Sequence, residues 1–594
     1  MPSGIPHIIG NEAAERFSFY GMKAVLAVFM VQYLHLMNDT PGTAMTATAA
    51  AEKVHLWSAL VYITPFIGAF IADFFFGKYR VIIGLSIIYC LGHAALAFMG
   101  LQGDASIWLM LGLGLIALGS GGIKPCVSAH VGDQFGASNS HLLPKIFNWF
   151  YFSINLGAMV SSLMTPWLMK WYGPHLAFGI PGVLMALATL IFWMGRKSFV
   201  HVPAKSQQLL TELKKPETKV SLLRLAPLYL FLAMFWALFD QTASTWVFQA
   251  QDMDLQFMGI DWLPSQVQSL NSVFVLTFIP LFAYLLYPAL SKVYQLTPLR
   301  KIGIGLFIMC SSFTMIALIQ NAIDSGQQPN IGWQVLAYAL LTASEVMVSI
   351  VALEFAYTQA PRTMKSLVMC FYLGAVALGN SFTSGINSYI QISSPALTED
   401  ISHDGYDSAA GTDDDLTLTE NKIQSPATEV LTQGAQLIDE IFESSEQLPT
   451  EENGKSHIAA ITDPWGNPLS YTRLNKNTAR ISSNGPDQKP RTEWDLGVIL
   501  TVPEAEKEIT SSWTESFRPE TPWLDRRKQE LGIQDKVPDD NAITQSIESK
   551  FYAGGGTKLE GSSYFWFFTK VMFITALCFI PYAFFYREKT HLQE

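Results

Sequence analysis

Apolar windows of about twenty residues recur along the chain, and they constrain its fold more than any other feature. A helix of that length spans the hydrocarbon core of a bilayer. Six such windows precede a polar stretch near residue 200 and about six follow it. With 50% hydrophobic and only 15% charged residues, the 594-residue chain is too apolar for an ordinary soluble protein. The pattern predicts an all-α polytopic membrane protein with about 12 transmembrane helices.

The negative charge of the chain is confined to one polar segment before the last apolar window. Residues 391–560 hold 31 acidic and 15 basic side chains, a net charge of −16, against −11 for the whole chain. Most other Lys and Arg residues fall in even-numbered loops or the C-terminal tail, with Lys53 and Lys170 as the main exceptions. By the positive-inside rule, both termini face the cytoplasm and the insert faces outward.

These patterns divide the chain into five predicted segments. They are an N-terminal six-helix bundle (1–195), a cytoplasmic linker (196–221), helices 7 to 11 of a C-terminal bundle (222–391), an outward insert (392–561), and helix 12 with a cytoplasmic tail (562–594). All five cysteines lie in apolar segments, so no disulfide framework is expected in the insert.

The first apolar segment contains four charged residues, which lipid tolerates poorly. At 100° per residue, an arc of about 140° on one side of a helix contains Glu12, Glu15, Arg16 and Lys23 together with Phe19 and Tyr20. Each charge near the middle of a bilayer costs about 2.5–3.5 kcal/mol on insertion scales. This face is therefore expected to contact protein or water, and it is predicted to be a functional site.

The fourth apolar segment contains the glycine-rich run GLGLIALGSGGIKP from Gly112 to Pro125. A dinucleotide fingerprint would need a preceding strand, and a phosphate loop would need Ser or Thr after Lys124. The glycines are instead interpreted as allowing close helix packing. Lys124 lies well inside an apolar helix, so we expect it to be functional or to pair with a buried carboxylate. His55 is either a packing histidine or a protonatable group.

Several long motifs, in order, resemble the proton-coupled oligopeptide transporter family of the major facilitator superfamily. The motifs are ERFSFYG from Glu15, GSGGIKPCVSAHVGDQF from Gly119, FNWFYFSINLGA from Phe147, FWALFDQTAS from Phe235 and EVMVSIVALEFAYTQAPRTMKS from Glu345. The resemblance covers essentially the whole membrane portion. It implies a major facilitator fold, two six-helix bundles around a central cavity, and proton-coupled import of di- and tripeptides by alternating access.

The resemblance also implies roles for individual residues. Proton coupling falls to Glu12, Glu15, His55, Asp240 and Glu345. Substrate binding falls to Arg16, Tyr20, Tyr62, Lys124, Asn155, Asn271 and Glu345. Gating salt bridges are expected between Lys23 and Asp240 and between Lys124 and Glu345. The chain departs from the family at Phe19, where many members have a tyrosine.

The chemistry of such a set suits a zwitterion. Arg16 and Lys124 would hold the carboxylate of a peptide and Glu345 its amino group, while the peptide side chains vary. Protonation of a glutamate would weaken its pairing with the cations and free them for substrate. Two alternatives stay open: the same fold carrying a small anion such as nitrate, and a sensor or adhesion protein that acts through the insert.

The insert combines an acidic stretch with a small folded module. Residues 393–425 are expected to form a flexible acidic linker, and a helix with Val430, Leu437 and Phe442 on related faces should pack on a small sheet. The run from Thr462 resembles the globular domain of type II secretion major pseudopilins. That resemblance makes Asp487, Glu493 and Asp495 candidate calcium ligands, although solvated surface acids are the preferred interpretation.

The sequence shows no enzyme constellation and predicts no cofactor and no nucleic-acid partner. The expected partners are peptides, protons, the lipid bilayer and an unknown partner of the insert. We expect a bacterial inner-membrane location with the insert in the periplasm. Asp252, Asp254 and Asp261, in an outward loop of the C-terminal bundle, are interpreted as solvated.

Overall fold

The computed structural model describes residues 2–135, 139, 142–201, 216–359, 365–419, 422–503, 519–533 and 547–586. Within them, twelve long helical runs confirm the expected number of helices. Ten of the runs are long and apolar enough to cross a membrane, and the other two are Leu143–Tyr172 and Lys365–Ile390.

Six helices form the N-terminal bundle. They are α1 (Ile5–Val28), α2 (Ala47–Ile71), α3 (Lys78–Ala97), α4 (Ala105–Asp133), α5 (Leu143–Tyr172) and α6 (Pro174–Met194). A wide π turn and a 3-10 turn extend α1 to Leu36, and a π turn extends α2 to Phe76. Side chains cap two of these helices: Thr46 accepts from Ala49 N at 3.2 Å and Asp104 from Ser106 N at 2.9 Å.

The C-terminal bundle contains more broken helices. It consists of α7 (Pro216–Phe239), α8 (Thr245–Gln251), α9 (Ser269–Leu281), α10 (Tyr287–Ser291), α11 (Pro298–Asp324), α12 (Gly332–Glu345), α13 (Val351–Gln359), α14 (Lys365–Ile390) and, after the insert, α18 (Ser562–Phe585). A 3-10 turn at Asp240–Ala243 separates α7 from α8. A π turn at Val346–Ile350 begins directly after Glu345, which is a common location for such turns at functional sites. The hairpin of β1 (Gln256–Phe257) and β2 (Ile260–Asp261) precedes α9.

Glycines bring α2 and α4 into backbone contact. A Cβ atom built on Gly68 would lie 2.3 Å from the carbonyl oxygen of Gly122, and one on Gly121 would lie 2.3 Å from that of Val61. Similarly, a Cβ on Gly112 would lie 2.6 Å from the Leu96 side chain. The prediction that the small residues of the fourth segment allow close helix packing is confirmed.

The insert contains a module with its own hydrophobic core. Its sheet has the antiparallel order β5 (Ser470–Arg473), β6 (Thr478–Ser483), β7 (Leu496–Thr501) and β8 (Glu548–Ala553), and it packs against α15 (Thr428–Ser445) and α16 (Glu451–Ile458). Leu431, Ile438 and Phe442 on α15 are buried with Ile481 and Val498 of the sheet. The expected helix on a small sheet is confirmed.

The stretch 393–425 differs from the expected flexible linker. It contains the hairpin of β3 (Thr417–Thr419) and β4 (Lys422–Gln424), and Leu416 joins the core of the module. The buried Asp414 carboxylate accepts hydrogen bonds from the backbone N–H groups of Tyr406 and Asp407. Acidic composition alone predicts a flexible linker, but the Asp414 carboxylate accepts hydrogen bonds from backbone donors and so stabilises a turn.

One further insert helix, α17 (Trp523–Glu530), lies apart from the module. The insert begins after α14 and returns to α18, so it lies at one end of the membrane helices. We call this end the insert face; it contains the start of α2, the end of α5 and the end of α11.

Candidate functional site

The charged residues of α1 form a compact buried cluster with α4. Arg16 Nε lies 2.7 Å from Glu12 Oε1 and 3.3 Å from Glu15 Oε2. Glu15 also accepts a hydrogen bond from Ser120 Oγ at 2.7 Å, and Lys124 Nζ lies 3.6 Å from Glu15 Oε1. Glu12 and Glu15 are almost fully buried. Two carboxylates and two cations therefore balance one another inside the N-terminal bundle, away from lipid, as the spacing on α1 predicted.

Lys124 is the cation of this cluster whose ammonium group can still donate hydrogen bonds. Its ammonium group is buried, and at 3.6 Å from Glu15 it makes no hydrogen bond to any residue that the structure describes. The ammonium lies 3.9 Å from the centre of the Phe19 ring and 5.9 Å from that of Tyr62. Tyr20, next to Phe19, is half-buried and meets that ring edge to face. An ammonium held by ring faces can still donate to an incoming acceptor.

A second polar centre lies in the C-terminal bundle. Glu345 Oε2 accepts a hydrogen bond from Asn271 Nδ2 at 2.8 Å, and the same amide group donates to Thr342 Oγ1 at 3.0 Å. Among the ion pairs between described residues, none includes Glu345. This carboxylate is therefore positioned by an amide and lacks a protein cation in the described part of the chain.

The expected salt bridge between Lys124 and Glu345 is absent from the described structure. Lys124 lies beside Glu15, and Glu345 bonds to Asn271 instead. The physical reason is that α1 and α4 share the core of one bundle, so Glu15 and Ser120 meet on the same side of that core. The pairing across the two bundles does not form in this arrangement.

Close to the insert face, a polar network joins the two bundles. Lys23 Nζ lies 2.6 Å from Asp240 Oδ1, and Asp240 Oδ2 accepts from Asn380 Nδ2 at 2.6 Å. Asn380 Oδ1 lies 2.8 Å from His55 Nδ1, and His55 Nε2 lies 3.0 Å from Ser244 Oγ. The Asn380 amide nitrogen already donates to Asp240, so its oxygen accepts from His55 Nδ1–H, which leaves Nε2 of a neutral ring to accept from Ser244.

Two neighbouring contacts reinforce this connection between the bundles. Gln391 Nε2 at the end of α14 donates to Glu52 Oε2 on α2 at 2.7 Å, and Gln268 Nε2 before α9 donates to the Ala24 carbonyl on α1 at 3.2 Å. The bundles are therefore joined at the insert face by the Lys23–Asp240 ion pair and by several amide hydrogen bonds.

Asn155, the remaining site residue named from the sequence, makes a hydrogen bond within its own helix. Asn155 is largely buried, and its Nδ2 donates to the Tyr151 carbonyl one turn earlier in α5. Sequence reasoning missed Ser120, Ser244, Asn380 and Thr342, although the first two stand within or beside the recognised motifs. It also missed Asn11, which is fully buried and has no hydrogen-bond partner for either side-chain atom among the described residues.

Two of the three candidate calcium acids of the insert, Asp487 and Asp495, accept hydrogen bonds within local turns, and Glu493 is the third candidate. Asp495 accepts from the backbone N–H of Arg491 at 2.8 Å and from Thr492, and burial raises its pKa. Asp487 accepts from the Lys489 backbone at 3.1 Å. In the described residues, no group of three or more His, Cys, Asp and Glu is arranged to hold a metal ion. This geometry gives the calcium interpretation no support.

Comparison with known proteins places the membrane portion in one family. The family description "POT family" matches residues 79–215 and 205–399, which is more than half of the chain. The chain is 37% identical over 374 residues to Solute carrier family 15 member 2 of Mus musculus, and 36% identical over 367 residues to Peptide transporter family 1 of Drosophila melanogaster. Those alignments cover 55% and 54% of this chain, and 50% and 48% of the relatives, so the chain spans about half the length of these relatives.

Solved structures agree with the sequence relatives. The POT family transporter PepTSo superposes with a TM-score of 0.60 at 37% identity, over 66% of this chain and 90% of that chain. An auto-inhibited POT family peptide transporter superposes with a TM-score of 0.60 at 35% identity, over 65% of this chain and 89% of that one. The major facilitator arrangement expected from the sequence is confirmed, and the chain is an integral membrane protein that belongs to the POT family.

Proposed function

We propose that this chain imports di- and tripeptides together with protons by alternating access. The observation behind the proposal is that two polar centres of opposite charge lie in different bundles. Lys124, beside Glu15, is an ammonium without a hydrogen bond, and Glu345 is a carboxylate without a protein cation, each among the described residues. A zwitterionic peptide supplies a carboxylate for the first centre and an ammonium group for the second.

The proton-coupled step follows from the pairing of Glu15. While Glu15 is ionised it attracts both Arg16 and Lys124, at 3.3 and 3.6 Å. Protonation of Glu15 removes that attraction, and protonation of Glu12 weakens its pair with Arg16 at 2.7 Å, so the cations become available for the substrate carboxylate. Glu345, Asp240 and His55 are proposed as the further proton-handling groups, because they lie in the second centre and in the network that joins the bundles.

The names of the relatives support the choice of cargo. One of the relatives, from Drosophila melanogaster, is named as a peptide transporter. Tyr20, Tyr62, Asn155 and Asn271 are proposed to contact the peptide along with Arg16, Lys124 and Glu345.

The proposed membrane orientation follows from the charge distribution. The excess of Lys and Arg in the even-numbered loops supports a cytoplasmic location of both termini, with the insert face on the extracytoplasmic side. We place the protein in a bacterial inner membrane with residues 392–561 in the periplasm. The Lys23–Asp240 pair is then an outer gate, closed in this structure.

Calorimetric binding of dialanine and its blocked analogues to the purified protein tests this function without requiring transport. We expect N-acetyldialanine, which lacks the amino charge, to bind at least tenfold more weakly than dialanine, because Glu345 loses its partner. Glu345→Gln should reduce the difference in affinity between dialanine and N-acetyldialanine. Lys124→Ala should reduce the difference in affinity between dialanine and its C-terminal amide. Glu440→Gln, on an exposed insert position, is the matched control.

Two outcomes would overturn the proposal. Nitrate displacing dialanine, or binding where dialanine does not, would indicate an anion carrier with the same fold. Equal binding of dialanine and its two blocked analogues to the wild-type protein would show that the charged centres do not recognise the termini of a peptide.

A further inference from the structure

The insert contacts both bundles, although it is covalently part of only one of them. Its module rests on the C-terminal bundle. Asn475 Nδ2, in the turn between β5 and β6, donates to Asp252 Oδ1 at the end of α8 at 2.9 Å, and Lys476 Nζ donates to Gln328 Oε1 after α11 at 3.2 Å. The segment leading into α18 is fixed as well, because Ser562 N donates to Asp324 Oδ2 at 2.8 Å.

Helix α17 of the same insert is docked on the opposite bundle. The Trp523 ring stacks on Tyr33 of the α1 extension, with ring centres 5.7 Å apart. It also occupies the space beside Gly173, at the turn between α5 and α6: a Cβ atom there would lie 2.3 Å from Trp523 Cδ1. Trp523 and Leu524 pack against the hydrophobic core of the N-terminal bundle rather than the core of the module.

Arginines of α17 contact backbone carbonyl groups at or just after the ends of helices of the N-terminal bundle. Arg527 Nε donates to the Leu36 carbonyl and Arg527 Nη2 to the Asn38 carbonyl, both at 3.0 Å. Arg526 Nη2 lies 3.5 Å from the Trp171 carbonyl at the end of α5. The last carbonyls of a helix have no partner within the helix and carry a partial negative charge, so a guanidinium group suits them.

The docked helix covers the junction of the two bundles. A cavity of about 320 Å³ lies beneath it, bordered by Val28 and Tyr33 of the N-terminal bundle, by Leu263 and Pro264 of the C-terminal bundle, and by Leu524. Alternating access requires the two bundles to separate at this face. Separation changes the surface on which α17 lies, because Leu524 borders this cavity together with residues of both bundles.

We propose that α17 is a built-in latch that stabilises the arrangement closed at the insert face. With α17 docked, the insert links the two bundles a second time, beside the Lys23–Asp240 pair. Release of α17 removes the Trp523 stacking and the guanidinium contacts, and the equilibrium shifts toward the arrangement open at that face. The latch explains why the insert reaches across the protein, and it goes beyond the transport proposed above.

Distances between spin labels at the insert face test the latch. The labels are placed on Lys53→Cys of α2 and Met258→Cys of the β1–β2 hairpin, both exposed, in a background without the five native cysteines. We expect Trp523→Ala and Arg527→Ala each to raise the long-distance population about tenfold, which is the effect of losing one charge-assisted hydrogen bond or its equivalent in packing. Arg527→Lys, which can keep one carbonyl contact, should give an intermediate value.

Gln529→Ala is the matched control, because it lies exposed on the same short helix. Its distance distribution should equal that of the unmutated protein. Distributions for Trp523→Ala and Arg527→Ala that match this control would overturn the latch. The core of the module does not include α17, so protease resistance of the module should persist in every variant. Since the measurement needs neither peptide nor proton gradient, its result is independent of the proposed transport.

Discussion

Lys23 Nζ and Asp240 Oδ1 lie 2.6 Å apart in a buried ion pair that joins the first helix of one bundle to the end of the first helix of the other. Asp240 also accepts from Asn380, so removal of Lys23 leaves a hydrogen-bonded but uncompensated buried charge. Breaking one partner of such a pair typically costs about 3–5 kcal/mol, and removing both costs less.

Lys23→Met should therefore lower the apparent melting temperature in detergent more than the double variant Lys23→Met/Asp240→Asn does. The measurement is a double-mutant cycle on thermal unfolding, which compares the wild-type protein, Lys23→Met, Asp240→Asn and the double variant. Strictly additive losses would contradict the pairing, because two groups that interact cannot be removed independently.

Close backbone packing makes Gly68 intolerant of even one added carbon. Alanine at Gly68 would place its Cβ 2.3 Å from the Gly122 carbonyl oxygen, so α2 and α4 must separate at a cost of about 1–3 kcal/mol. On α4, the Cβ atom added by Gly114→Ala would have no neighbour within 4 Å, so this variant should be neutral or slightly stabilising. Thermal unfolding of the two variants side by side gives the comparison, and equal melting temperatures would refute the close contact.

His55 makes hydrogen bonds with both ring nitrogens, to Asn380 and Ser244. A glutamine at this position can keep these bonds but cannot take up a proton, so it separates a structural role of His55 from a role in proton transfer. His55→Gln can still donate to Asn380 and accept from Ser244, and it should keep peptide exchange across the membrane without a gradient. If His55 handles the proton, the same variant should lose most of the accumulation driven by a pH gradient. Full accumulation in His55→Gln would assign this residue a positioning role only.

Burial at the contact between the module and the C-terminal bundle raises the pKa of Asp252 to about 6, aided by the nearby Asp324 and opposed by the Asn475 hydrogen bond. A raised pKa means that the folded state binds a proton more tightly than the unfolded state. Its stabilising effect is complete below about pH 4 and is lost as the pH rises through about 6.

Asp252→Asn should remove this pH dependence and raise the melting temperature at pH 7.5, with little change at pH 4.5. At pH 7.5 the free energies of unfolding of Asp252→Asn and the wild-type protein should differ by about 1–3 kcal/mol, after allowing for partial solvent exposure. Asp261→Asn, in strand β2 of the hairpin before α9, serves as the control. If the melting temperatures of the wild-type protein and Asp252→Asn change equally with pH, the raised pKa of Asp252 is contradicted.

The local periodicity of the sequence predicted more of the structure than its surface composition did. The charged arc on α1 and the helix of the insert were predictable, because a helix fixes which residues share a face. The glycines of α4 were predictable for the same reason. Asp252, by contrast, was interpreted as solvated, and the acidic stretch near Asp414 as a flexible linker, because composition does not show which acids a neighbouring segment covers.

Contacts between distant parts of the chain were beyond sequence reasoning. His55 and Asn380 are 325 positions apart, and Arg527 and Leu36 are 491 apart. Family resemblance supplied Asp240, Glu345 and the pairing of Lys23 with Asp240, but it also implied a Lys124–Glu345 bridge that this arrangement lacks. Lys124 instead lies beside Glu15, and the spacing of the motifs does not indicate which of these two carboxylates it approaches.

Uptake of labelled dialanine into proteoliposomes with an imposed pH gradient tests the central claim most directly. The wild-type protein should accumulate the peptide only when the side facing the insert is acidic, and Glu15→Gln should abolish accumulation because the proton-binding partner of Arg16 and Lys124 is gone. Accumulation that ignores the gradient, or that persists undiminished in Glu15→Gln, would contradict proton-coupled peptide import through the first helix.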